Sequence, residues 1–150
     1  MDCVKQLKDQ DLWSPLRDWL EADRPYFGIC IGYQILFDHS EEFEGADGLG
    51  ILSGQVIRFP RNDLKVPHMG WNALDVANPN DHLWKGLPER PYVYFVHSYY
   101  PKPSDDQVVS AWCDYGVRFA AAIRRGNLVA TQFHPEKSQA IGLRILQNFA

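Results

Sequence analysis

Pro25-Tyr-Phe-Gly-Ile-Cys-Ile-Gly-Tyr-Gln34 is the most informative segment of the chain. Its apolar run Tyr26–Ile29 has the length of a buried β-strand, and the residues after Cys30 have the pattern of a short helix. Gly28 and Gly32 flank Cys30, which predicts a nucleophile elbow with a thiol as the reactive group. At a helix N-terminus we expect the thiolate to be favoured over the thiol. The alternative is a small apolar cysteine in a core strand, but the paired glycines favour the elbow.

Size and composition are those of one globular domain. The chain has 150 residues, 45% of them hydrophobic, and its net charge of -4 offers no attraction for nucleic acid or an anionic membrane. No apolar run is long enough to span a bilayer, and the first residues lack the apolar core of a signal peptide. Cys3, Cys30 and Cys113 fit neither a disulfide framework nor a zinc site. We therefore expect a cytoplasmic protein without a metal or cofactor.

The remaining pattern mixes helices and strands. Residues 4–22 predict an amphipathic helix that Pro15 divides, and residues 141–149 predict a final helix. The acidic segment 41–50 is predicted as a surface loop, and the prolines after Tyr100 as a turn. Strands or strand-like runs are predicted at residues 26–29, 50–52, 56–59, 73–76, 92–96, 108–113, 119–123 and 128–133. This mixture predicts an α/β domain whose reactive groups gather at the carboxyl ends of its strands.

Two predicted strands are followed by histidines. His97 comes after strand 92–96, and His134 with Glu136 comes after strand 128–133. A cysteine nucleophile needs a base, and the base needs an orienting group. We expect Pro135 to keep this segment extended, so that His134 and Glu136 project in the same direction and pair. In the alternative interpretation His134 caps the final helix and Glu136 complements the helix dipole. The presence of a cysteine elbow favours the catalytic interpretation over this one.

Four motifs occur in a characteristic order. Residues 28–34 carry the cysteine, and residues 132–138 (Gln-Phe-His-Pro-Glu-Lys-Ser) carry the histidine and the glutamate. Between them lie Pro67-His-Met-Gly-Trp-Asn72 and Tyr94-Phe-Val-His-Ser-Tyr99. The set resembles the triad-type (class I) glutamine amidotransferases, and among them the glutaminase subunits of imidazole glycerol phosphate synthases of histidine biosynthesis. The resemblance covers essentially the whole chain. It implies one amidotransferase domain over residues 1–150, a flavodoxin-like three-layer α/β sandwich with a mostly parallel central sheet.

The resemblance also implies a division of catalytic roles. Cys30 attacks the side-chain amide of glutamine, and His134, oriented by Glu136, protonates the departing ammonia. Water activated by His134 then releases glutamate from a γ-glutamyl thioester. The N–H of Ile31 is one oxyanion donor. The positions that match glutamine-binding residues of the family are Gln34, Ser98 and Tyr99.

A protein partner is implied as well. In this family the ammonia passes to a (β/α)8-barrel cyclase, which forms imidazole glycerol phosphate and AICAR, so the resemblance implies a heterodimer. The positions that match the partner-facing surface are Trp71, Asn72, Tyr94 and Lys137. Trp71 is expected to be an interface anchor, and its alternative is packing in the core.

The family pattern starts upstream of Met1. It includes further strands and a Pro-Gly-rich loop that supplies the second oxyanion donor. We therefore expect a domain incomplete at its N-terminus, through a misplaced start or as a real short form, with unpaired strand edges and half an oxyanion hole. Three alternatives to the ammonia-supplying glutaminase remain: an inactive module that only docks on the cyclase, an amidotransferase with another acceptor, and a redox thiol protein. The last is disfavoured because no resolving cysteine is apparent near Cys30.

Overall fold

The computed structural model describes residues 3–42, 47–61 and 64–150. Its helices are α1 (Cys3–Asp9), α2 (Trp13–Glu21), α3 (Ile31–Gln34) and α4 (Gln139–Phe149), with 3₁₀ turns at His82–Trp84, Asp106–Val108 and Pro135–Lys137. Its strands are β1 (Tyr26–Ile29), β2 (His39–Ser40), β3 (Gly54–Arg58), β4 (His68–Ala73), β5 (Asp75–Val76), β6 (Tyr92–His97), β7 (Tyr99–Pro103), β8 (Val109–Asp114), β9 (Arg118–Arg125) and β10 (Leu128–Thr131). The predicted loop at 41–50 lies partly outside the described residues.

The predicted N-terminal helix is two helices, but the division is not at the proline. The chain turns at Asp11, which has a positive φ of 57°, a conformation that aspartate tolerates better than most residues. Pro15 instead lies in the first turn of α2. A missing N–H costs little there, because the first N–H groups of a helix have no acceptor within it.

The main sheet has five strands in the order β1-β10-β9-β8-β5. Among the described strands of this sheet only β1 and β10 pair in parallel, and the other neighbours are antiparallel. The α/β class is confirmed, but the sheet described here is mixed rather than mostly parallel. The antiparallel part arises because short turns join β8 to β9 and β9 to β10, and such turns reverse the chain direction.

Two smaller sheets extend the fold. One has the order β2-β3-β7 and the other is the ribbon β4–β6. The strand-like run 50–52 forms no strand, whereas the predicted proline turn is strand β7, paired antiparallel with β3. Pro101 and Pro103 are tolerated there because β7 is an edge strand, which needs N–H donors on one side only. Residues 68–73 likewise form β4 despite the glycine within them.

Two apolar cores cover opposite faces of the main sheet. Along β10, Val129 packs into the core that contains Ile145 of α4. Its neighbour Leu128 packs into the other core, which contains Leu20 of α2 and Tyr33 of α3. This alternation places helices on both sides of the sheet, the layered arrangement of an α/β domain. None of the helices in the described ranges is long and apolar enough to cross a membrane.

Candidate active site

The turn predicted around Cys30 is present and tight. Cys30 follows β1 directly and has φ 55° and ψ −102°, an uncommon conformation for a residue with a side chain. A Cβ on Gly28 would lie 2.4 Å from the carbonyl oxygen of Gly32, so only glycine fits there. The hydroxyl of Tyr26 donates a hydrogen bond to the same carbonyl at 2.8 Å. The glycines and Tyr26 thus hold the sulfur at the end of the strand.

The protonation state of Cys30 differs from the sequence-based expectation. Burial, with smaller contributions from the negative charges of Glu42 and Glu136, raises the pKa of the thiol to about 11. Hydrogen bonds from the N–H of Ile31 and the side chain of Gln132 act in the opposite direction. The expectation of a thiolate is wrong because α3 has only four residues, so its dipole is small compared with the cost of desolvation. The thiol therefore needs a base to become a nucleophile.

His134 and Glu136 form the predicted pair. The Nδ1 of His134 lies 3.1 Å from Oε1 of Glu136, although the segment is a 3₁₀ turn over Pro135–Lys137 and not an extended chain. His134 is half-buried and Glu136 is exposed. When Nδ1–H donates to the carboxylate, the lone pair of the neutral ring lies on Nε2, where it can accept a proton.

Strand β6 holds the turn that carries His134. The N–H of His134 donates to the carbonyl of Tyr94 at 3.0 Å. The hydroxyl of Ser138 accepts the N–H of Tyr94 at 3.0 Å and donates to the carbonyl of His134 at 2.7 Å. Ser138 is fully buried. The backbone of His134 is therefore tied to a strand of the β4–β6 ribbon at both of its polar groups.

Cys30 and His134 follow the carboxyl ends of two adjacent parallel strands. Ile29 pairs with Thr131, and the N–H of Cys30 donates to the carbonyl of Thr131 at 2.8 Å. The hydrogen bonds of the described residues include none between His134 and the Cys30 sulfur. The sulfur instead receives the side-chain Nε2 of Gln132 at 3.5 Å. Transfer of the thiol proton to His134 thus requires the imidazole and the sulfur to approach each other.

Of the predicted glutamine-binding positions, the structure links two to Cys30 through Gln132. The side-chain Nε2 of Gln34 donates to the carbonyl of Tyr99 at 3.3 Å and to Oε1 of Gln132 at 3.2 Å. The Oε1 of Gln34 is buried without a hydrogen-bond partner among the described residues. Ser98 lies between β6 and β7, half-buried, and Ile31 is exposed directly after Cys30. Gln34 and Tyr99 are therefore connected to the nucleophile by hydrogen bonds, and Ile31 lies next to it in the chain.

His68 and His97, to which we assign no proton transfer, form a buried pair across β4 and β6. The Nδ1–H of His97 donates to the carbonyl of Tyr99 at 2.9 Å. Its Nε2 lies 3.0 Å from Nδ1 of His68, and the Nε2 of His68 lies 2.8 Å from Oδ1 of Asn72. The ring of His68 stacks on that of Tyr115, with 3.8 Å between centroids. A polar chain thus runs from Asn72 on β4 to the Tyr99 carbonyl beside Gln34.

The number of hydrogen atoms available to these hydrogen-bonded groups determines the tautomers of His68 and His97. Three contacts join Tyr99, His97, His68 and Asn72, and each needs one hydrogen, whereas two neutral imidazoles carry two. Burial lowers the pKa of His68 and lowers that of His97 to about 3, so both rings are neutral at neutral pH. The third hydrogen then comes from the Asn72 amide, turned so that its nitrogen donates to His68.

The predicted partner-facing residues divide between the surface and the interior. Trp71 is 46% exposed, which excludes packing in the core, and its ring meets that of Tyr94 edge-on at 5.8 Å between centroids. Lys137 is exposed. Asn72, by contrast, has its side chain hydrogen-bonded to the buried His68. Trp71, Tyr94 and Lys137 therefore remain available as a surface, and Asn72 connects that surface to the interior.

Gln132 and Ser138 were not predicted as site residues, although both lie in a motif that was recognised. The only signal for Gln132 was a polar residue within the apolar run 128–133, where a buried glutamine requires partners. Ser138 has no comparable signal, because a serine before a helix is typical of a cap. No group of three or more His, Cys, Asp or Glu side chains within residues 3–42, 47–61 and 64–150 is arranged to hold a metal ion.

Comparisons with known proteins identify the family of this chain. The family model "Glutamine amidotransferase class-I" matches residues 9–150. Imidazole glycerol phosphate synthase subunit HisH of Rhodopirellula baltica is 48% identical over 150 residues, which cover 99% of this chain and 72% of the relative. The HisH subunit of Syntrophotalea carbinolica is 51% identical over 154 residues, covering 99% and 74%. A crystal structure of a glutamine amidotransferase has a TM-score of 0.68 at 22% identity, over 97% of this chain and 71% of that one, and supports the fold. The chain belongs to the class-I glutamine amidotransferase family and, within it, to the HisH subunits of imidazole glycerol phosphate synthase.

Proposed function

We propose that this chain is the glutaminase subunit of an imidazole glycerol phosphate synthase. It hydrolyses glutamine to glutamate and ammonia and passes the ammonia to a cyclase subunit, which makes imidazole glycerol phosphate and AICAR in histidine biosynthesis. One observation carries the proposal: Cys30 and the His134–Glu136 pair follow the carboxyl ends of two neighbouring parallel strands. The identity to HisH subunits supports the same reaction and the same pathway.

The chemistry follows from the protonated thiol. The sulfur of Cys30 bonds to the side-chain amide carbon of glutamine while its proton moves to Nε2 of His134. The imidazolium, stabilised by Glu136, returns the proton to the amide nitrogen, which leaves as ammonia. A water molecule deprotonated by the same Nε2 then attacks the thioester carbon and releases glutamate. The sulfur of Cys30 leaves as the thiolate and takes the proton back from His134. The N–H of Ile31 is one donor to the oxyanion in both steps.

We assign the substrate's polar groups to the positions beside the thiol. The buried Oε1 of Gln34 lacks a donor among the described residues, and an N–H of bound glutamine would satisfy it. Ser98 and Tyr99 are the further contact positions, since both lie where β6 passes into β7 next to Gln34. In this proposal residues 1–150 act as one amidotransferase domain in the cytoplasm.

The cyclase is proposed to dock on the β4–β6 ribbon. Trp71 and Tyr94 pair across the two strands and, with the neighbouring Met69, form an exposed apolar surface. Lys137, in the turn after His134, adds a positive charge. Exposed aromatic side chains of this kind are frequent anchors of protein interfaces. Because His134 is tied to Tyr94, a partner on this surface lies close to the site that releases ammonia.

Cys30→Ala tests the proposal in the complex with the cyclase subunit. Glutamine-dependent turnover is expected to disappear, whereas turnover with added ammonium salts is expected to continue, because the cyclase uses ammonia directly. Cys3→Ala is the matched control and is expected to keep both activities. Loss of both activities in Cys30→Ala, or unchanged glutamine turnover, would contradict the proposal. Binding to the cyclase without glutamate release from the unmodified chain would favour the docking module instead.

A further inference from the structure

A short line of hydrogen bonds connects a backbone carbonyl to the reactive sulfur. It runs from the carbonyl of Tyr99 through the side chains of Gln34 and Gln132 to Cys30. We propose that Gln132 is a further catalytic residue, whose side-chain amide donates a hydrogen bond to the Cys30 sulfur and stabilises it as the thiolate. The inference rests on the proposed function in one respect, namely that Cys30 is the nucleophile.

The orientation of the Gln132 amide follows from its neighbours. The carbonyl of Tyr99 only accepts, so the group that Gln34 turns toward it is its Nε2. The second hydrogen of that nitrogen then faces Gln132, which must present its oxygen, Oε1, at 3.2 Å. The nitrogen of the Gln132 amide is thereby directed to the sulfur, at 3.5 Å. Exchanging the two ends of the Gln34 amide would oppose oxygen to oxygen, and exchanging those of the Gln132 amide would oppose its nitrogen to that of Gln34.

Burial makes this arrangement rigid. Gln132 is fully buried and Gln34 is 1% exposed, so water does not compete for their amides. The backbone N–H of Gln132 donates to the carbonyl of Ala121 at 2.8 Å, which fixes its position beside β9. The carbonyl of Tyr99 is itself held by the Nδ1–H of His97. A hydrogen bond to a charged group is stronger in such an environment than in water.

The charges around the sulfur make a donor necessary. Desolvation, Glu42 and Glu136 all disfavour a negative charge on Cys30. The interactions that favour it are hydrogen bonds from the N–H of Ile31 and from Gln132. When His134 removes the thiol proton, the Gln132 amide is already in place and needs no reorganisation. Its donor therefore acts on the reacting atom itself and not through a second residue.

Alkylation of Cys30 by iodoacetamide measures the proposed effect without glutamine. Gln132→Leu removes the donor, and Gln132→Glu keeps the acceptor for Gln34 but places a carboxylate at the sulfur. Loss of a charge-assisted hydrogen bond should raise the thiol pKa by about 1 to 2 units. At a fixed pH of about 8, alkylation should then slow roughly 3- to 15-fold in Gln132→Leu, after allowing for the greater nucleophilicity of the more basic thiolate. Alkylation of Gln132→Glu should be at least as slow. Gln107→Glu makes the same charge change on an exposed residue of the 3₁₀ turn before β8, and its alkylation rate should match that of the unmodified protein.

The readout is the rate at which the Cys30 peptide gains mass, compared at several pH values with folding checked by circular dichroism. Unchanged rates and an unchanged pH profile in folded Gln132→Leu and Gln132→Glu would overturn the proposal and leave Gln132 a structural residue. Should Cys30→Ala retain glutaminase activity, the proposed function fails, yet the effect of Gln132 on the thiol is still measured. The two failures are therefore distinguishable.

A double-mutant cycle tests the orientation argument. Gln34→Leu removes the donor that holds the Gln132 oxygen away from the sulfur, so it should slow alkylation of Cys30 by itself. In a Gln132→Leu background it should have no further effect, because the amide that it orients is absent. Additive effects of the two substitutions would contradict the orientation of Gln132 by Gln34.

Discussion

The two histidine regions of this protein show how environment separates a base from a structural group. His134, after β10, is half-buried, and its Nδ1 is hydrogen-bonded to the carboxylate of Glu136. His97, at the end of β6, donates a hydrogen bond from Nδ1–H to the carbonyl of Tyr99, and its Nε2 is hydrogen-bonded to His68. Among the described residues no hydrogen bond occupies the Nε2 of His134. Both histidines are oriented through Nδ1, but only one has its second nitrogen available.

Burial reinforces this difference. His97 is 6% exposed, and desolvation, with smaller contributions from the nearby His68 and His134, lowers its pKa to about 3 against the opposing effect of the hydrogen bond to Tyr99. It therefore stays neutral and holds the Tyr99 carbonyl beside Gln34. His134 has an anion next to it that stabilises a positive ring, which is what a general base requires. Glutaminase activity should thus depend on the region of His134, and the stability of the fold on the region of His97.

The largest expected effect is on activity. His134→Asn removes the proton acceptor for a thiol whose pKa is about 11, so kcat for glutamate release should fall about 10²- to 10⁴-fold. The free energy of unfolding should change by less than about 0.5 kcal/mol, because the turn is held by backbone contacts to Tyr94 and Ser138. Glutamate release and urea unfolding measure the two quantities. Activity within a few-fold of the unmodified protein would show that another group takes the proton.

A smaller loss of activity is expected when Glu136, the group that orients His134, keeps its shape but loses its charge. Glu136→Gln still presents an oxygen to the Nδ1–H of His134, yet it no longer stabilises the imidazolium. The carboxylate is exposed and partly screened by solvent, so kcat should fall by only roughly 10- to 100-fold. Glu89→Gln, at an exposed position, is the control. Equal activity in the two variants would mean that the pair seen in the structure does not assist the base.

Local features made the nucleophile region predictable from sequence. The clash that a side chain at Gly28 would make with Gly32 is encoded within five residues, and so is the turn at Cys30. The strong β-propensity of residues 92–96, 108–113, 119–123 and 128–133 likewise predicted the strands β6, β8, β9 and β10. Strand β7 was predicted as a turn because of its prolines, and β4, which contains a glycine, was not predicted as a strand. Both strands are stabilised by pairing, β7 with β3 and β4 with β6.

The electrostatic properties of the site depend on distant residues. The thiol of Cys30 is desolvated by the fold and hydrogen-bonded to Gln132, 102 positions away. His68 and His97 are 29 positions apart, and nothing in either motif indicates that the rings meet. A pattern of residue types predicts where a side chain leaves the backbone, but the charge that it carries depends on its packing. For this reason the sequence indicated the reactive groups and not their protonation states.

The last prediction concerns the stability of the buried histidine region. His97→Leu leaves the Nδ1–H of His68 without its acceptor and takes one of two donors from the carbonyl of Tyr99. The cost at neutral pH should be about 1–3 kcal/mol in the free energy of unfolding. His82→Leu, at an exposed histidine, is the matched control and should cost much less. The measurement is urea unfolding of each variant at a series of pH values.

The pH dependence separates this explanation from a simple packing defect. The pKa of His97 is lowered from 6.5 to about 3, so between these values the unfolded chain binds a proton that the folded protein does not. The unmodified protein should therefore lose stability as the pH falls through this window, by up to about 1.4 kcal/mol per pH unit for this one group. His97→Leu lacks that titration, so the stability difference between the two proteins should shrink on acidification. A difference that stays constant from neutral pH to pH 4 would show that folding does not lower the pKa of His97, and the contrast with His134 would no longer hold.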